Sequence, residues 1–170
     1  MARFELRSAS EAETARLGEC LAPLLQPGDV VSLSGDLGAG KTRLVQGVAA
    51  GLGVKDHVTS PTFGLLAVHP GRLDLYHFDL YRLEDESQLE DVDFWGVLES
   101  GGASFVEWGD RFPAALPAEH LSVEMRMAGP DDRVLTAVSH GPRGHVLAEA
   151  WVAACEPGPG GRGGGGEVDE

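Results

Sequence analysis

The chain has 170 residues, enough to bury one core and too few for two ordinary domains. Its 27 acidic residues outnumber 13 basic ones and give a formal net charge of −14, which repels phosphate backbones and argues against nucleic acid as a direct, independent ligand. The share of hydrophobic residues is 42%, no apolar run approaches the ~20 residues that cross a bilayer, and Met1 to Arg7 lacks the apolar stretch of a signal peptide, so a cytoplasmic protein without a membrane partner is expected.

Ser10-Glu11-Ala12-Glu13 has the pattern of a capping box and predicts a helix over about Glu11 to Leu25, ended by the turn Pro27-Gly28-Asp29. Val30 to Ser34 reads as a short buried strand that leads into Gly35-Asp36-Leu37-Gly38-Ala39-Gly40-Lys41-Thr42. A second helix follows, with Leu44, Val45, Val48, Ala49 and Leu52 on its buried face and Gly53 at its end. Phe63 to Val68 and Leu73 to Leu80 flank the turn His69-Pro70-Gly71-Arg72 as a hairpin. Glu84 to Ser100 is an acidic turn-to-helix stretch, and Ala103 to Trp108 is an apolar strand. From His120 to Ala128, Leu121, Val123, Met125 and Met127 alternate with polar residues as in a strand with one buried face. Gly129-Pro130-Asp131-Asp132 turns the chain into a further strand, Arg133 to Ser139, before a last helix over Gly144 to Ala154. Cys20 and Cys155 are too few for a disulfide framework and too far apart for a local metal motif, and read as structural thiols. Residues 1–155 are therefore expected to form the domain, and the glycine-rich 156–170, with little to bury, a flexible tail.

Gly35-x-x-x-x-Gly40-Lys41-Thr42 is a Walker A pattern between a buried strand and a helix, the context that the pattern requires. Glycines let the backbone wind around a phosphate, the loop N–H groups and the helix N-terminus favour an anion, Lys41 reaches the β- and γ-phosphates, and the Thr42 hydroxyl ligates magnesium. A dinucleotide fingerprint fails, because no glycine stands where its third is needed after Gly38-Ala39-Gly40. Two carboxylates end apolar strands and are candidates for the magnesium site, Asp79 in His77-Phe78-Asp79 and Glu107 in Phe105-Val106-Glu107-Trp108. Val58-Thr59-Ser60-Pro61-Thr62-Phe63 lies where a nucleotide-sensing switch belongs.

The four segments Gly35 to Thr42, Ser60-Pro61-Thr62-Phe63, Tyr76-His77-Phe78-Asp79-Leu80-Tyr81-Arg82-Leu83 and Val106-Glu107-Trp108, in this order, resemble the blocks of the bacterial TsaE family of tRNA-modification ATPases. The resemblance runs from about Thr14 to Arg143, and its third and fourth blocks are far more distinctive than Walker A alone. It implies a three-layer α/β P-loop domain with a mixed central sheet, whose antiparallel additions are expected from Leu121 to Ser139. It also implies ATP and Mg2+ as cofactors, with Thr42 and Glu107 as metal ligands, Gly35 and Gly38 to Thr42 around the phosphates, Thr14 beside the base, and Ser60 and Thr62 in the switch. Lys41, Asp79 and Glu107 would be the catalytic set, with either Asp79 or a switch hydroxyl positioning water. Trp108 has two readings, a place near the nucleotide and a core aromatic; Tyr81 and Arg82 face either a partner or the γ-phosphate.

The activity implied is ATP hydrolysis in making threonylcarbamoyladenosine on tRNA next to the anticodon, together with the proteins TsaD and TsaB. Two rivals share the phosphate cradle: a small-molecule kinase, for which no arginine-rich lid is visible, and a nucleotide-dependent binding module that hydrolyses ATP incidentally.

Overall fold

A computed structural model describes residues 1–36, 38–59, 61, 65–155 and 166–168. The chain begins with a strand that the sequence reading passed over, β1 (Arg3–Ser8), in which Phe4, Leu6 and Ser8 are buried and alternate with Arg3, Glu5 and Arg7. Helix α1 (Glu11–Leu21) starts at Ser10, whose hydroxyl accepts from the Glu13 N–H at 3.1 Å. The Glu13 carboxylate reaches back one residue further than a standard capping box and accepts from the Ala9 N–H at 2.6 Å. The helix was expected to reach Leu25; instead the chain tightens into a 3₁₀ turn over Ala22–Leu24, because Pro23 brings no N–H to an α-helical ladder.

The next elements fall close to their expected places: β2 (Val30–Ser34), α2 (Lys41–Gly51), β3 (Leu66–His69) and β4 (Leu75–Asp79). The acidic stretch forms a 3₁₀ helix over Glu86–Val92, capped reciprocally by Asp85 and Gln88, and then the short helix α3 (Phe94–Leu98). β5 (Ala103–Glu107), β6 (His120–Met127), β7 (Arg133–His140) and α4 (Gly141–Cys155) follow. Within the segment expected to be a flexible tail, Gly166–Val168 forms β8 and pairs antiparallel with Arg3 to Glu5 of β1.

The strands form one sheet in the order β3-β4-β5-β2-β6-β7-β1-β8. β4, β5, β2 and β6 run parallel, while β3 pairs antiparallel with β4 on one side and β7, β1 and β8 on the other each pair antiparallel with the preceding strand in the sheet. Of the late strands expected to supply antiparallel additions, β7 does so by pairing antiparallel with β6, whereas β6 itself joins β2 in parallel. Strand alternation sends residues to two cores. Leu33, Phe105, Leu121 and Leu135 meet Leu17, Leu21, Leu44, Val48 and Trp151 of the layer built by α1, α2 and α4. On the opposite face Phe78 and Val106 meet Leu89, Phe94 and Leu98, with the Phe78 and Phe94 rings edge to face at 4.9 Å. The result is the three-layer α/β arrangement expected.

This topology positions the site. β2, β4 and β5 end on the same edge of the sheet, with Leu33 opposite Glu107 and Glu107 opposite Asp79 in register. Carboxyl ends of parallel strands are where such sheets bind ligands.

Candidate functional site

From the end of β2 the chain turns through Gly35, at φ 133°, where a Cβ would lie 2.3 Å from the Met125 carbonyl oxygen of β6; only glycine fits both the conformation and the space. Gly40, at φ 104°, caps α2 and delivers Lys41 and Thr42 at its first turn, where free N–H groups and the helix dipole favour an anion. Lys41 is 5% exposed. Its ammonium group donates to the carbonyls of Gly35 at 2.6 Å and Asp36 at 3.0 Å, and lies 4.2 Å from the centroid of the Trp108 ring. Burial pulls the Lys41 pKa below its ordinary value, against the carboxylates of Glu107, Asp79, Asp110 and Asp36, which pull it back up.

Thr42 faces Glu107 across the mouth of the sheet, its hydroxyl 3.5 Å from one carboxylate oxygen and 3.4 Å from the other. These distances exceed a full O–H···O hydrogen bond, and the two groups are hard oxygen donors of the kind that magnesium takes at ~2.1 Å each. The residues present therefore fit such an ion. Among the described residues no cluster of three or more His, Cys, Asp or Glu could hold a metal by itself. Glu107 is 3% exposed, so it is not a strand-end acid facing water, and His77 on β4 approaches its second oxygen with Nε2 at 2.5 Å.

Asp79 stands beside Glu107 at the strand ends, and its Oδ1 accepts from the Tyr81 N–H at 3.0 Å. Trp108 is half-buried and combines both readings, packing against the smaller core while also lining the cleft. The backbone there takes a left-handed turn at φ 63°, and the ring lies between the Lys41 ammonium and Tyr81, whose ring centroid is 5.0 Å away. A cleft of about 370 Å³ is lined by Gly38, Gly40, Lys41, Thr42, Asp79, Glu107 and Trp108, so the fold brings these expected residues together. Thr14 lines a smaller cavity of about 120 Å³ with Ser10, Gly38, Gly40 and Arg133. Its hydroxyl is turned inward, 2.7 Å from that of Ser8 and 3.3 Å from the Ser10 carbonyl. Glu11, Gly38, Gly40 and Arg43 border both cavities, which therefore meet around the glycine-rich loop. Ala39 turns its side chain into the core, so any part it takes in binding is through its backbone. Ser60 and Thr62 lie outside the described residues.

Several contributors were not foreseen. Arg133, at the start of β7, donates to the carbonyls of Ala39 at 3.1 Å and Gly38 at 3.4 Å and holds the loop from a strand two places away from β2 in the sheet. Arg111, to which no chemistry was assigned, donates to the carbonyls of Leu80 and Tyr81 and fixes the turn after Asp79. Gln46 of α2 donates to the Val58 carbonyl at 2.7 Å, tying down the chain just before Ser60. Arg43 and Glu11 form an exposed ion pair at 3.0 Å on the rim. None has a local sequence signal, because each acts on a segment brought close only by folding. No helix among the described residues is long and apolar enough to cross a membrane.

Comparison with known proteins covers this same region. The family described as Threonylcarbamoyl adenosine biosynthesis protein TsaE matches residues 8–135. The tRNA threonylcarbamoyladenosine biosynthesis protein TsaE of Treponema pallidum is 42% identical over 129 residues, 76% of this chain and 96% of that protein. Its namesake from Bacillus subtilis is 39% identical over 150 residues, 88% of this chain and 94% of that protein. The crystal structure of YdiB from Bacillus subtilis superposes with a TM-score of 0.78 at 32% identity, over 90% of this chain and 97% of that one. The site residues from Thr14 to Arg133 all fall inside the matched family region, and the chain belongs to the TsaE family.

Proposed function

We propose that this chain is an ATPase of tRNA threonylcarbamoyladenosine biosynthesis that works with TsaD and TsaB. The observation that carries the ATPase reading is the juxtaposition of Lys41, Thr42 and Glu107 at the ends of β2 and β5, in a cleft whose floor is the N-terminus of α2. A phosphate chain lying there meets the free N–H groups of the first turn, and Lys41 exchanges two backbone carbonyls for phosphate oxygens. Thr42 and Glu107 would hold Mg2+, which when bound offsets negative charge on the transferring phosphoryl group. Asp79, or a hydroxyl of Ser60 or Thr62, orients the attacking water. Thr14 and Arg133 border the neighbouring cavity of about 120 Å³, beside which the nucleoside end would lie.

Arg43 is the one arginine among the described residues lining the larger cleft, and it is engaged with Glu11. Intrinsic turnover is accordingly slow and rises when a partner completes the site, since a well-placed arginine contributes ~10³ to 10⁵ in rate. The net charge of −14 suits a protein that leaves tRNA to its partners. Phosphate release measured alone and with TsaD and TsaB, with tRNA titrated into the isolated chain at physiological salt, tests the reading. Stimulation by the partners with weak tRNA binding is expected. Tight, salt-sensitive tRNA binding by the chain alone, or phosphate transfer to a small-molecule acceptor, would overturn it.

A further inference from the structure

His77 sits in the middle of β4 with its side chain fully buried, and β4 runs parallel to β5 with His77 opposite Phe105 and Asp79 opposite Glu107. Alternation along the two strands turns Leu75 and Phe105 toward the larger core, so His77 and Glu107 lie on that same face, diagonal neighbours across one strand pairing. The imidazole Nε2 is 2.5 Å from Oε2 of Glu107, and the ring's other nitrogen, Nδ1, is buried without a hydrogen-bond partner among the described residues. A buried imidazole with one nitrogen unsatisfied is a poor choice for packing alone, and an apolar side chain like that of Leu75, two residues earlier on the same face, would fill the position without that penalty. What the imidazole supplies is an N–H aimed at one oxygen of the carboxylate that faces Thr42.

We propose that His77 is a positioning residue for the metal site: its Nε2–H holds Glu107 in the orientation in which the carboxylate meets the Thr42 hydroxyl, so the ion binds to a prearranged pair of donors. The inference rests on the reading that Thr42 and Glu107 hold magnesium. A free glutamate side chain has three torsions to fix before it can ligate an ion, and the hydrogen bond from β4 fixes them in advance. The same bond partners a carboxylate that would otherwise be buried alone at the strand end. His77 touches neither nucleotide nor ion in this arrangement; it acts only through Glu107.

The test is ADP binding by calorimetry across a magnesium series and in EDTA, with melting measured on every variant without metal. H77M, similar in volume and without a donor, is expected to weaken the magnesium dependence by about 10- to 100-fold, the usual loss for a partner that orients a ligand, and to leave ADP binding in EDTA unchanged. H77Q, whose amide N–H can still reach Glu107, should stay close to wild type, and H77N, whose shorter amide cannot, should behave as H77M; this contrast survives even if H77M does not fold. In an E107Q background H77M should add nothing. Wild-type magnesium dependence in folded H77M or H77N, equal loss in H77Q and H77N, or an undiminished H77M effect on top of E107Q would overturn the proposal while leaving the magnesium reading in place. Identical ADP affinity of the wild type in magnesium and in EDTA would overturn both.

Discussion

The ammonium nitrogen of Lys41 lies 4.2 Å from the centre of the Trp108 ring while donating to the carbonyl of Gly35 at 2.6 Å. The lysine that should neutralise phosphate is thus stored against an aromatic face and its own loop. Nucleotide entry has to draw it away, so ATP with magnesium should change tryptophan fluorescence, and W108F should lose most of that change because Trp95 and Trp151 do not line the cleft. No fluorescence change in a wild type that binds nucleotide would contradict this account of Lys41. K41A should abolish turnover; loss of two hydrogen bonds should lower stability by about 1 to 3 kcal/mol, not unfold the chain. A folded K41A with wild-type hydrolysis would remove the ATPase reading.

Glu107 is buried with its two oxygens 3.4 and 3.5 Å from the Thr42 hydroxyl, and the pair should respond as one site. E107Q is expected to lower hydrolysis by about 100-fold or more, the scale seen when one well-placed electrostatic group is lost, with melting close to wild type. T42A should lose more nucleotide affinity in magnesium than in EDTA. Equal losses under both conditions would argue against the metal role of Thr42.

His120 and His140 stack across β6 and β7 with ring centroids 4.1 Å apart and planes within 7°. Burial lowers both pKa values from 6.5; His140 lowers that of His120 further, and the chain's N-terminal charge that of His140, while the Pro117 carbonyl partly restores His120. The unfolded chain therefore takes up protons below pH 6.5 that the native pair refuses, and stability should fall as pH drops through 6.5. Melting temperatures between pH 8 and 5 should show this slope, and H120Q should flatten it. A slope unaltered in H120Q would assign the acid sensitivity elsewhere.

β8 contributes only three residues at the sheet edge, paired to Arg3, Phe4 and Glu5. Deleting residues 157–170 should leave nucleotide binding unchanged and lower stability by less than about 1 kcal/mol, a melting shift of under ~4 °C for a chain of this size. A larger drop would show that the tail contributes more than this edge pairing.

The linear chain already reveals the glycine-rich loop between β2 and α2, because everything that makes it is local: a buried strand, glycines where the backbone must bend, and a lysine and threonine at a helix start lie within Val30 to Thr42. It also marked Asp79 and Glu107, since an acid ending an apolar strand is visible as a pattern. It passed over β1, although Phe4 and Leu6 carry the strand period, because a six-residue alternation at a chain end is a weak signal beside a capping box. Which groups meet is a matter of the folded chain. Thr42 and Glu107 are 65 residues apart and face each other because β5 pairs in parallel with β2; Trp108 lines the cleft because the chain turns left-handed after that strand. His77 reaches Glu107 from a neighbouring strand, and Arg133 braces Ala39 across 94 residues. Propensity and periodicity act over one or two turns of chain, whereas strand order and register are set by which apolar faces can be buried together, and that is a property of the whole fold.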